Sequence, residues 1–200
     1  MNTYPNPFIP ERADPYIVRG NDGFYYFTAS YPAFMSAENG YDRIILRKSE
    51  TVSGLKNAEE YTIWKAHESS VMSRHIWAPE MHFINNVWYI FFAAGEKEDV
   101  WKIRPFVLKC KGSNPIEDEW EELGQMQATK EDNLSFTNFS LDMTYFEHKG
   151  RHFVIWHCIN NEQNFIGVYA FLYFGKLAHQ LLINVEPSCG INEYHIVSVS

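Results

Sequence analysis

Large apolar residues in this chain come in short bursts cut by polar turns, and they follow a two-residue rhythm far more often than a helical one. Three stretches share one layout: ADPYIVRGNDGFYYFTAS from Ala13, APEMHFINNVWYIFFAAG from Ala78 and SLDMTYFEHKGRHFVIWH from Ser140. In each, an acid (Asp14, Glu80, Asp142) precedes a short strand of large side chains, a tight turn and a second aromatic strand. The turns, Asn21-Asp22-Gly23, Asn85-Asn86 and His148-Lys149-Gly150, carry the Asn, Asp and Gly chemistry that hairpin loops need for positive φ. Between the hairpins lie more strand candidates, among them Arg43-Ile44-Ile45-Leu46-Arg47, Tyr61-Thr62-Ile63-Trp64 and Pro105-Phe106-Val107-Leu108.

The three acids are spaced 66 and 62 residues apart (80 − 14 and 142 − 80), too long for a solenoid turn and suited to a four-stranded sheet with its loops. The expected fold is therefore all-β, a propeller of which about three blades are visible. Equivalent positions of successive blades meet at one end of a propeller's central channel, so Asp14, Glu80 and Asp142 are expected to converge there. Crowded like charges raise at least one pKa. The plainer reading is that each acid only accepts hydrogen bonds from its adjoining loop.

Composition narrows the partner. With 46% apolar and 16% aromatic residues, 200 residues can build one cored domain. A net charge of −8 without a Lys/Arg cluster argues against nucleic acid or an anionic membrane surface and suits a neutral ligand. Cys110, Cys158 and Cys189 are odd in number and widely spaced, the pattern of reduced thiols rather than a disulfide framework or a zinc site. No apolar run approaches the ~20 residues of a membrane span, and the N-terminal residues lack a signal pattern, so a cytoplasmic location is expected.

The stretches NPFIPERADPYI, HIWAPEMHFINNVWYIFFAAG, VWKIRPFVLKC and FSLDMTYFEHKGRHFVIWH resemble glycoside hydrolase family 43, and within it the α-L-arabinofuranosidases, over roughly residues 5 to 160. The resemblance implies a five-bladed propeller and an inverting hydrolase of α-L-arabinofuranosyl bonds in plant cell-wall polysaccharide or its oligosaccharides. It implies that Asp14 is the general base and that Asp142 tunes the pKa of the general acid. It also implies that Trp77 and Glu80 shape the sugar pocket. Arg104 falls in a resembling stretch, where a sugar hydroxyl, a pocket carboxylate or a structural ion pair are equally good partners. An inverting pair of carboxyls stands roughly 6.5 to 9.5 Å apart to admit a water. Neither metal nor cofactor is required.

The family's general acid is a glutamate in a Glu-Gly-Pro setting, which the repeat places near position 204 to 208. Glu186 resembles that motif only superficially, arriving early and without the glycine. From about Asn164 the sequence loses the family pattern. The expected organisation is thus a partial propeller over 1–163 and a divergent tail over 164–200, truncated or frame-shifted, with an incomplete ring and reduced or absent activity. The alternatives are a silent sugar-binding propeller fragment, an endo-arabinanase or a β-xylosidase. His75, His82, His148, His152 and His157 invite a metal reading, against which ordinary polar or packing roles weigh more. Trp101 fits either a sugar platform or a core. Glu117-Asp118-Glu119, with Glu121 and Glu122, reads as a solvated loop around Trp120.

Overall fold

The computed structural model describes residues 4–33, 40–128, 136–158, 168–172 and 182–185. Strands β1 (Ala13–Arg19), β2 (Tyr25–Ser30), β3 (Arg43–Ser49) and β4 (Glu60–Lys65) form the first sheet in chain order, with one 3-10 turn over Ser53–Lys56. Strands β5 (Arg74–Ile84), β6 (Val87–Gly95), β7 (Arg104–Cys110) and β8 (Trp120–Gln125) repeat that order. The third sheet runs β10 (Ser140–His148), β11 (Arg151–Cys158), β12 (Val168–Leu172), β13 (Leu182–Val185). The short β9 (Gln127–Ala128) then pairs parallel to β13, so residues preceding this sheet's first strand close its far edge. These are three blades of a propeller.

The paired strands read as nearly continuous apolar runs because both faces of the first two blades are covered. Successive residues go to opposite cores. On β2 and β3, Tyr26, Ile44 and Leu46 enter the layer between the first two blades, while Phe27 and Ile45 join Ile9, Ala29 and Leu55 on the other side. On β6 and β7, Ile90, Phe92, Phe106 and Leu108 meet the first blade, whereas Phe91 and Val107 meet Met143, Val154 and Trp156 of the third. This two-residue period is what stacks neighbouring sheets face to face. Cys110 belongs to the first of these layers as a buried free thiol, its pKa raised by burial.

Two expectations need correction. Trp120, Glu121 and Glu122 are not in a loop: they open β8, with Trp120 buried and its indole N–H donating to the Pro115 carbonyl at 3.0 Å. Glu122, moreover, takes hydrogen bonds from the Trp64 indole (2.7 Å) and from His67 Nε2 (2.9 Å), so it ties the outer strands of two blades together.

The second concerns register. In all three inner hairpins, four residues of the first strand face three of the second: Ala13 to Tyr16 opposite Ser30 to Thr28, Trp77 to Glu80 opposite Ala93 to Phe91, Leu141 to Thr144 opposite His157 to Ile155. Each is a β-bulge. Just inside it sits a residue in the left-handed region: Asp14 (φ 48°), Ala78 (φ 44°) and Asp142 (φ 53°). These three stand 64 residues apart (78 − 14 and 142 − 78). Glu80 is therefore not the counterpart of the two aspartates. It lies two residues further on, level with Tyr16 and Thr144, and alanine holds the bulge position of the second blade.

Candidate active site

The bulges carry Asp14 and Asp142 at matching positions of the first and third blades. Both residues are exposed to solvent, and they stand close enough for the charge of one to act on the other. Asp142 is held above the ordinary carboxylate range, first because partial burial strips water from its charge, then because Asp14 adds a like charge nearby. His157 pulls in the opposite direction, and Glu80 adds to the rise. All three acids singled out from the sequence are thus within electrostatic reach of one point, although only two share a backbone position.

Asp14 is anchored by Ser30. The Ser30 hydroxyl donates to Asp14 Oδ2 at 3.0 Å, and the same oxygen accepts the Ala78 amide at 2.7 Å. Glu80 is anchored differently. Its Oε2 lies 3.1 Å from His82 Nε2, and His82 Nδ1 lies 3.3 Å from the Tyr16 hydroxyl. One neutral tautomer satisfies both contacts, with Nε2–H donating to the carboxylate and Nδ1 accepting from tyrosine. Burial, helped by the charge of Glu80, pushes the Tyr16 phenol up to about 12, so it stays a donor. Tyr145 of the third blade meets the His82 ring edge-on at 5.4 Å and contacts His152 Nδ1 at 2.7 Å, so this polar chain spans three blades.

Trp77 stands in an aromatic group with Tyr41 (6.0 Å between ring centres) and His75 (4.5 Å), and His75 stacks at 5.1 Å on Trp101. Trp101 is 63% exposed, so it is a surface ring and not a core residue. Arg104, 9% exposed, donates to the carbonyls of Ile103 (2.8 Å) and Thr137 (2.7 Å), bracing the joint between the second and third blades. The histidines do different jobs. His75 stacks, His82 orients Glu80, His152 contacts Tyr145, His157 faces Asp142, and His148 sits exposed at a turn. Among the described residues, no group of three His, Cys, Asp or Glu is placed to hold a metal ion. Glu186 lies outside the described residues.

Sequence reading missed Ser30, Tyr16 and the orienting role of His82. The signal for Ser30 was present but needed the structural register: it faces Ala13 as His157 faces Leu141, so each aspartate-bearing bulge has a polar residue on the adjoining strand, whereas the second blade has Ala93.

Three interacting carboxylates on the inner strands of a propeller, with the aromatic group of Trp77, His75 and Trp101 on the second blade, are the features of a carbohydrate-active protein. Residues 4–180 match the model of glycosyl hydrolases family 43, and the chain belongs to that family. It is 46% identical to an extracellular exo-α-(1→5)-L-arabinofuranosidase of Streptomyces chartreusis over 76% of this chain and 43% of that protein. It is 42% identical to the protein of the same description from Streptomyces avermitilis, over 93% of this chain and 35% of the relative. The crystal structure of an α-L-arabinofuranosidase from Lactobacillus brevis superposes with a TM-score of 0.72 at 34% identity, covering 90% of this chain and 54% of that one. The chain thus spans less than half the length of the Streptomyces relatives it matches.

Proposed function

We propose that the chain carries the base-bearing part of a glycosidase that hydrolyses α-L-arabinofuranosyl bonds with inversion. The observation that supports this reading is the pairing of Asp14 and Asp142: the two acids hold equivalent bulge positions of the first and third blades, and burial, then the charge of Asp14, raises the pKa of Asp142. In this reading Asp14 takes a proton from the attacking water, which adds to the anomeric carbon as the leaving oxygen departs from the opposite face. Asp142 sets the local charge that keeps a proton on the general acid. Trp77, Glu80 and Arg104 form or brace the sugar pocket. The names of the two Streptomyces relatives support an arabinose-containing substrate.

The test is hydrolysis of an aryl α-L-arabinofuranoside by the chain, with proton NMR of the first product formed. Release of the β-anomer, abolished by Asp14→Asn, supports the reading. Release of the α-anomer, or unchanged turnover by Asp14→Asn, refutes it. Calorimetric binding of arabinose oligosaccharides without turnover points instead to a sugar-binding propeller.

A further inference from the structure

Ser30 ends β2 and is fully buried. Its hydroxyl lies between two bulges of different blades, 2.7 Å from the Ala78 amide and 3.0 Å from Asp14 Oδ2. An amide N–H only donates, so at that contact Ser30 must accept, and its single proton is left for Asp14. The serine therefore has one hydrogen-bond orientation, and that orientation points a donor at the carboxylate. Asp14 itself is exposed and sits in a left-handed bulge, where its side chain has little packing to fix it.

We propose that Ser30 is the positioning residue for Asp14. It fixes Oδ2 and leaves Oδ1 as the oxygen that takes the proton from water. It also references the base to the second blade through Ala78, so the carboxylate keeps its place relative to the sugar pocket that Trp77 and Glu80 line. The inference rests on the reading of Asp14 as the base. A short buried hydroxyl performs this task better than a second charge, because it orients the carboxylate without competing for its proton.

The experiment measures kcat and KM for an aryl α-L-arabinofuranoside with the parent chain, Ser30→Ala, Ser30→Thr, Asp14→Asn and the Ser30→Ala/Asp14→Asn double variant. Melting temperatures are recorded for all of these, for Asp14→Ala and for Ser30→Ala/Asp14→Ala. Loss of positioning is expected to lower kcat of Ser30→Ala by about 10- to 100-fold. Its KM should stay within about threefold, because uniform binding is untouched. Ser30→Thr, which keeps the hydroxyl, should recover at least part of the loss. In the Asp14→Asn background, Ser30→Ala should add nothing. Full multiplication of the two losses, or a Ser30→Ala enzyme within about twofold of the parent, overturns the proposal.

The reading beneath it fails in a different way. If Asp14→Asn turns over normally, Asp14 is not the acting base, and if the parent chain does not turn over at all, it holds no acting base to position; in either case the positioning role in turnover falls. The bond itself is then judged by melting. Ser30→Ala should cost fewer degrees in the Asp14→Ala background than in the parent, and equal costs show that the serine holds only the Ala78 amide.

Discussion

The first and third blades differ from the second at two matched positions, and the difference separates scaffold from chemistry. The bulge residue and the residue paired with its predecessor read Asp14 with Ser30, Ala78 with Ala93, and Asp142 with His157. The backbone is the same each time: a bulge and a left-handed φ near 50°. What changes is a pair of side chains. A bulge re-aims the side chains beside it and is tolerated for its geometry, so the second blade keeps the bend while presenting no charge there. The two aspartates also have unlike neighbours. Ser30 offers Asp14 a hydroxyl proton, whereas His157 acts on Asp142 against the influence of Asp14.

That contrast predicts a large asymmetry in activity. Asp14→Asn should lower kcat by about 10²- to 10⁴-fold, the usual worth of a general base. Its melting temperature should hardly change, because asparagine accepts the same Ser30 proton and tolerates positive φ. The matched change in the second blade, Ala78→Gly, should leave kcat within about twofold. Equal losses at the two positions would show that the bulge geometry, and not the carboxylate, is what turnover needs.

The cores offer a second comparison. Phe91 and Phe92 are consecutive on β6 and each is 1% exposed, but Phe91 packs against the third blade and Phe92 against the first. Truncation of either to alanine should cost about 3–5 kcal/mol. Paired with a probe on the other side, Phe92→Ala and Ile44→Ala should couple, because they share one layer, while Phe91→Ala and Ile44→Ala should be additive. Urea unfolding of the singles and doubles checks this.

A smaller effect concerns pH. Asp142 has a folded pKa above its unfolded value near 3.8. Across the window from 3.8 up to the raised value the folded state holds more proton than the unfolded state, so stability falls as pH rises. Asp142→Asn removes that dependence. The melting temperature of Asp142→Asn relative to the parent should therefore be higher at pH 7 than at pH 4. In an Asp14→Asn background the difference should shrink, since one of the like charges is gone. A difference independent of pH would mean that the carboxyl is as well solvated folded as unfolded.

Much of the architecture was legible because both hairpin turns and apolar alternation are local. The Asn, Asp and Gly of the three turns named their hairpins, and the aromatic strands named the covered faces. The bulge was not legible, since an extra residue in a strand leaves the composition of the stretch unchanged and shifts every later residue by one face. Aligning on carboxylates matched Glu80 to Asp14, two residues from its true counterpart Tyr16. β8 was missed because its alternation is masked by three consecutive exposed residues, Glu121 to Leu123. The site followed the same division: Asp14, Asp142, Trp77 and Glu80 announced themselves by type and context, while Ser30, one hydroxyl in a β-strand, means nothing until the strand opposite is known.

The least of the expected effects bears most directly on why alanine stands in the second blade. At φ 44° the Ala78 side chain suffers the crowding that disfavours left-handed residues, about 1–2 kcal/mol. Glycine relieves it but gives the unfolded chain about 0.4–1 kcal/mol of extra freedom. The amide that reaches Ser30 survives the change, so the net expectation for Ala78→Gly is a gain of about 0.5 kcal/mol, visible as a rise of roughly 1–2 °C in melting temperature. A fall instead would show that the methyl group, half-buried beside Trp77, contributes more through contact than its dihedral angle costs. Alanine would then be at this bulge for packing, and the second blade would differ from its neighbours by what its side chain touches and not only by the charge it lacks.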